Sequence, residues 1–262
     1  MSLDNRVQSS VVENLRRRPR PVEVGPFVIG CDPTTDNPFI NYATPVPGVP
    51  VTPADVADLV EAFERLERKP RLEYVTTIAP ELEGHLLAAG FTVEERHEYL
   101  VCAPETLAVP PAPEGFSVTE PADDDEVRAM LAAQSEAFGG EPTATDTDVQ
   151  RARRNQSQGG IAIVAREPSG MVVGGGQSSP PNLGLTEVAG IAVAKDFRRR
   201  GLAGAITAVL AERAFAAGVE LAWLEASGDT SWRVYERVGF RPQGKRLYIA
   251  YEGSKSTASA TT

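Results

Sequence analysis

The densest chemistry in the chain lies in residues 196–205, DFRRRGLAGA, where three arginines run into a glycine and then into small residues. Arg198, Gly201 and Ala203 stand in an Arg-x-x-Gly-x-Ala spacing. A strand-like run, LTEVAGIAV, precedes them and a periodic helix follows. A helix that begins in small residues after a short loop leaves its first backbone N–H groups free and adds the positive end of its dipole. Such an end suits phosphate, and glycine lets the backbone approach the ligand closely. The amides of Arg199, Arg200, Gly201, Leu202, Ala203 and Gly204 are therefore predicted to wrap a pyrophosphate, with the arginine side chains adding charge. The competing reading is a solvated basic loop.

That loop needs a frame. Residues 116–252 read as β-α-α-β-β-β-α-β-α-β, an α/β domain with a mixed sheet. A strand at residues 116–119 leads into a helix with an acidic start and apolar positions Val127, Met130, Leu131 and Phe138, stopped by Gly139 and Gly140. A polar helix covers residues 147–156. IAIVARE and MVVGGGQSS form a hairpin through the turn REPSGM, and LTEVAGIAV is the next strand. Leu202, Ile206, Val209 and Leu210 draw the apolar stripe of the helix after the arginines, ended at Gly218. VELAWLEA is a strand, TSWRVYERVGF a short helix ended by Gly239, and KRLYIAYE the last strand.

In this order VAKDFRRRGLA and the later VYERVGF resemble two signature segments of the GNAT (Gcn5-related N-acetyltransferase) superfamily, V-x-x-x-(F/Y)-(Q/R)-x-x-G-x-(G/A) and an LYEKLGF-like stretch. The resemblance covers residues 116–252. It implies the acyl-CoA N-acyltransferase fold, a mixed, mostly antiparallel sheet flanked by helices. It also implies acetyl-CoA as cosubstrate, with no metal. The coenzyme is expected in a splay between EVAGIAV and LAWLEA, along the backbone of Ile191, Ala192 and Val193, with the Val193 amide polarising the thioester carbonyl. Tyr235 matches the family's tyrosine near the coenzyme sulfur, where a phenol of pKa about 10 donates to the leaving thiolate. The alternative for Tyr235 is a ring packed in the core. Glu187 stands where the histone-acetylating branch carries its glutamate base, six residues before Val193, and an even separation would put both on one strand face. Glu225 and a water chain remain alternatives as the base. The family's asparagine seven residues before the tyrosine is Gly228 here, which leaves its coenzyme contact to Ser231 or to water. The implied activity is acetyl transfer to a primary amine of a small molecule or peptide by direct attack in a ternary complex. A non-catalytic coenzyme-A-binding sensor or scaffold is the alternative.

Residues 1–103 carry a fainter version of the same pattern. Phe91 and Phe240 lie 149 positions apart, and the same offset sets Leu72 on Leu221, Tyr74 on Trp223 and Tyr99 on Tyr248. The helix ADVADLVEAFERL then falls on AGAITAVLAERAF. Leu86 takes the place of Tyr235, and VPVTPA takes the place of the arginine turn, where prolines remove the amides a cradle needs. The first part is expected to be a degenerate copy without a coenzyme site, structural or walling the acceptor pocket. Residues 104–115, rich in proline, read as a linker and residues 253–262 as a disordered tail.

A net charge of −10 and a pI near 4.9 argue against a dedicated nucleic-acid binder. No run approaches the roughly 20 apolar residues of a membrane span, and the first residues lack the apolar core of a signal peptide. Cys31 and Cys102 read as buried, reduced thiols, and the location as cytoplasmic. His85 and His97 have no partners at metal spacing. VVGGGQ opens no helix and so is no dinucleotide fingerprint, and no Gly-x-Ser-x-Gly elbow points to a hydrolase.

Overall fold

The computed structural model describes residues 1–226 and 228–252, with the backbone alone for residues 228–231. Two compact units divide the chain, Met1–His97 with Gly244–Thr262 and, between them in sequence, Glu98–Gln243.

The first unit contains α1 (Leu3–Arg16), β1 (Val22–Val24), β2 (Phe27–Gly30), β3 (Tyr42–Pro45), α2 (Pro53–Arg65), β4 (Arg71–Val75), α3 (Leu82–Ala88) and the beginning of β5 (Phe91–Cys102). β1, β2 and β3 pair antiparallel, and β3 pairs parallel with β4. Alternation along β4 sends Leu72 and Tyr74 into a core with Val56, Leu59 and Phe63 of α2 and Leu82 and Leu86 of α3. α1 is tied to the strands by one buried amide: Gln8 donates to Thr44 Oγ1 and to the Pro45 carbonyl, each at 2.7 Å, and accepts from Val75 N at 2.9 Å.

The second unit contains the rest of β5, then β6 (Ser117–Thr119), α4 (Asp124–Ala137), α5 (Asp146–Ser157), β7 (Ala162–Arg166), β8 (Val172–Ser178), β9 (Leu185–Val193), α6 (Leu202–Ala216), β10 (Leu221–Ala226), α7 (Gly228–Val238) and the start of β11 (Arg241–Tyr251). The expected order of elements is the observed one. Its sheet runs β5-β10-β9-β8-β7-β6, antiparallel except for the β9–β10 pair. α6 packs Ile206 and Leu210 onto Ile163, Val188, Val193 and Leu224. α4 buries Met130 against Ala162 and Val164 on the other side. β11 begins at Arg241, four residues before the expected start, and carries Pro242 and Gly244 within it. Phe138, expected on the apolar stripe of α4, lies past the helix end and is 69% exposed.

The proline-rich residues 104–115 fall inside the second unit rather than between two. Proline forbids helix there, yet an extended chain still offers its other amides. Pro104–Thr106 makes a 3-10 turn, and Ala108 N donates to the Val238 carbonyl at 2.9 Å. Gly239, at φ +111°, leaves room for this segment: a Cβ there would sit 2.0 Å from the Thr106 carbonyl oxygen. The expected tail, residues 253–262, lies outside the described residues.

Candidate functional site

The parallel pairing of β9 with β10 runs from Leu185↔Leu221 to Glu187↔Trp223. β9 then continues to Val193 and β10 to Ala226. Past Glu187 the two strands part, and the backbone edge of β9 facing β10 opens. On its other side β9 carries a bulge, because Gln177 pairs with Ala189 but Gly175 pairs with Ala192. Two residues, Gly190 and Ile191, thus oppose Gly176. Gly190 has φ +64°, the left-handed first position of a glycine bulge.

The bulge corrects one expectation. Alternation along an unbroken strand would place Glu187 and Val193 on one face. The extra residue reverses the alternation: Val188 and Val193, five apart, both join the α6 cluster. Glu187 therefore shares a face with Ala189 and Ala192, the face on which a Cβ at Gly175 would meet Met130 of α4. Its backbone is held by Ser179, whose N–H donates to the Glu187 carbonyl at 2.8 Å while Ser179 Oγ accepts from Glu187 N at 2.9 Å.

A cavity of about 270 Å³ sits at the open end of the splay. Ile191, Ala192, Val193, Arg198, Ala203 and Tyr235 line it, joined by Ala137, Phe138 and Val234. Six predicted residues thus share one cavity wall. Three further lining residues are not among the predicted binding residues: Val234 adjoins Tyr235 in VYERVGF, and Ala137 and Phe138 stand at the end of α4, where the apolar spacing points to the core. Tyr235 is held by α7, its ring tilted against Phe240 with centroids 6.5 Å apart. Burial pushes its phenol above the ordinary value, so the group keeps its proton throughout the neutral range.

The arginine turn lies at the cavity's other end. Arg198 has φ −66°, Arg199 +62° and Gly201 +89°. Arg198 is extended (ψ 162°), and the two left-handed residues that follow it turn the chain into the start of α6, whose first N–H groups suit an anion. Gly201 is the N-cap of α6 and provides no side-chain hydrogen bond to its first turn. The three arginines do different things. Arg198 folds back, Nε donating to the Val193 carbonyl at 2.9 Å, and lines the cavity. Arg200 lies over the Phe197 ring at 5.4 Å and donates to the Asp196 carbonyl at 3.2 Å. Arg199 supplies the left-handed turn and is exposed. Leu202 is buried in the core, and Gly204 faces Val234 and Val238 of α7. Glu225 pairs with Tyr99 across β10–β5 and does not line the cavity. The side chain of Ser231 lies outside the described residues.

The model of the GNAT acetyltransferase family matches residues 127–240, a span that holds every residue of the cavity wall. Residues 127–240 are a GNAT acetyltransferase domain. Among solved structures, a GCN5-related N-acetyltransferase from Kribbella flavida is 29% identical, with a TM-score of 0.81 over 97% of each chain. A GCN5-related N-acetyltransferase from Sphaerobacter thermophilus is 16% identical, TM-score 0.59, over 86% of this chain and 76% of its own. A tandem GNAT protein from the clavulanic acid biosynthesis pathway is 14% identical, TM-score 0.58, over 86% and 77%. The last two share the fold. A search of curated proteins finds no match. Among the described residues there is no group of three metal-ligating side chains, and no helix long and apolar enough to cross a membrane.

Proposed function

We propose that the GNAT domain binds acetyl-CoA and transfers its acetyl group to a primary amine of a small molecule or peptide, by direct attack in a ternary complex. One observation carries this reading: the arginine turn, through Arg198 and Ala203, the opened edge of β9 and Tyr235 all border a single cavity. The donor set fits the coenzyme. Amides of residues 199–204 suit a pyrophosphate, and the backbone of Ile191 and Val193 suits an amide-bearing arm. When bound, acetyl-CoA supplies an activated acetyl thioester.

The chain's own groups would do the rest. The Val193 amide donates toward the carbonyl oxygen as charge develops there. Tyr235 holds a proton and delivers it to the departing sulfur. Arg198 fixes the Val193 carbonyl and so the end of the strand. The amine's proton leaves to Glu187, to Glu225 or through water; the face reversal at the bulge favours neither carboxylate by geometry. Buried, unpaired thiols at Cys31 and Cys102 agree with a reducing, cytoplasmic setting.

The test is acetyl-CoA consumption across a panel of primary amines, with coenzyme binding measured by calorimetry. Turnover with at least one amine supports the proposal. Binding without turnover of any amine would instead make the protein a coenzyme sensor, and absence of binding would remove the reading altogether.

A further inference from the structure

The bulge in β9 depends on a residue from another element. Gly190 sits at the bulge with φ +64°, and its carbonyl accepts a 2.7 Å hydrogen bond from Gln134 Nε2 of α4. Gln134 is 7% exposed. The fit is mutual: a Cβ on residue 190 would lie 2.7 Å from that same nitrogen and 3.1 Å from Gln134 Cδ. Only glycine admits the amide, and only a long side chain ending in a donor reaches the carbonyl. A bulge takes one residue out of the regular ladder, and its part-buried carbonyl gains from a donor supplied by another element.

The bulge decides which way the cavity wall faces. Were it absent, a one-residue shift would turn Val193 and Ile191 to the opposite face and swap the edge toward which each N–H points. Ile191 now faces α6, since a Cβ at Gly176 would meet its Cδ1 at 2.4 Å. We propose that Gln134 is a positioning residue, whose side-chain amide pins the Gly190 carbonyl and so keeps the Ile191 and Val193 backbone aimed at the cavity. It acts through Gly190 and touches no reacting atom. The inference rests on the acetyl-transfer reading for its kinetic consequence.

The test compares Gln134→Met, of equal length without a donor, and Gln134→Glu, of equal shape without a donor when ionised, with Gly190→Ala. In Gln134→Met, kcat should fall about 10- to 100-fold and acetyl-CoA affinity by a clearly smaller factor, since the strand edge that holds the arm loses its aim while the pyrophosphate loop is untouched. In the ligand-free protein, amide hydrogen exchange should quicken at residues 189–193 and stay unchanged in α6. Gln134→Met combined with Gly190→Ala should lose far less than the product of the two single losses, because both break one contact. A Gln134→Met protein with kcat within about twofold of wild type and unaltered exchange would overturn the proposal. So would equal losses in kcat and coenzyme affinity with faster exchange everywhere, the mark of general loosening. Should Gln134→Met fail to fold, Gln134→Glu is judged by the same criteria. If the wild-type protein turns over no amine, the acetyl-transfer reading fails, while the exchange measurement still decides whether Gln134 holds the bulge.

Discussion

Replacing Gly201 by alanine isolates the backbone of the arginine turn. A Cβ there meets nothing closer than Pro113 Cγ at 3.7 Å, ordinary contact, so sterics outside the residue are not the obstacle. The obstacle is φ +89° at the start of α6, which costs an L-residue about 1–2 kcal/mol. That cost must appear somewhere. If alanine keeps the left-handed turn, the protein loses about 1–2 kcal/mol of stability, or very roughly 2–8 °C in Tm for a chain of this size. If the loop relaxes to negative φ, the N–H groups at the start of α6 turn away from the anion seat. Coenzyme A affinity then falls about 5- to 30-fold, the same free energy read as binding. Calorimetric Kd and a thermal melt of Gly201→Ala measure both, and their sum is the predicted quantity. Gly201→Asn should give a smaller sum, because asparagine tolerates the left-handed region better. A Gly201→Ala protein unchanged in both Kd and Tm would refute the claim that this turn is a strained anion seat.

Tyr235→Phe should lower kcat by about 10²- to 10⁴-fold and leave coenzyme affinity unchanged, if the phenol is the acid; an unaltered kcat removes it from the mechanism. Because burial raises its pKa, the wild-type enzyme keeps this proton up to about pH 10 and loses it only as pH rises beyond that. The alkaline fall it contributes should therefore be missing from the phenylalanine variant. Tyr74→Phe should raise stability by about 1 kcal/mol in urea unfolding, since the buried Tyr74 hydroxyl has no hydrogen-bond partner among the described residues. A lower midpoint would mean that the hydroxyl is satisfied. Gly239→Ala should cost about 2–6 kcal/mol, strain at positive φ plus overlap with the Thr106 carbonyl, and an unchanged urea midpoint would show that residues 104–115 are not docked there. Titration with coenzyme A should saturate at one molecule per chain; two would mean that the first unit also holds a site.

Periodicity made most of the second unit readable. The stripe Leu202, Ile206 and Leu210 was long enough to place α6, and LTEVAGIAV coincides with β9 from Leu185 to Val193. Punctuation was less reliable. The last strand is expected to begin at Lys245, yet β11 runs from Arg241 through Pro242 and Gly244, and residues 104–115, read as a linker, hydrogen-bond within the second unit through Ala108. The site was readable where backbone chemistry dictates sequence, as at Gly201, and obscure where a single local irregularity controls orientation. Gly190 is one glycine inside a strand-like run. Nothing in its neighbours announces that it takes positive φ, so the face of Glu187 relative to Val193 was inferred from a regularity the strand does not have. Gln134, 56 positions earlier, gives no hint of its partner in sequence.

Two helix starts that the 149-residue offset sets on one another differ in how their first amides are satisfied. α2 opens after Thr52, whose hydroxyl accepts from Asp55 N at 3.3 Å while the Asp55 carboxylate accepts from Thr52 N at 2.8 Å. Pro53 then removes one further amide. The first turn of α2 is thus satisfied by its own side chains, an arrangement generally worth about 1 kcal/mol. α6 forgoes that gain. Gly201 has no side chain to cap with, and Arg199 adds a left-handed residue that costs about 1–2 kcal/mol more. A helix selected for stability alone would have neither feature. Their combination leaves the first N–H groups of α6 without a side-chain cap, where a bound pyrophosphate would restore what the fold gives up. On the acetyl-transfer reading, these two helix starts, one capped by its own side chains and one left open, separate a helix that only packs from one that would also bind.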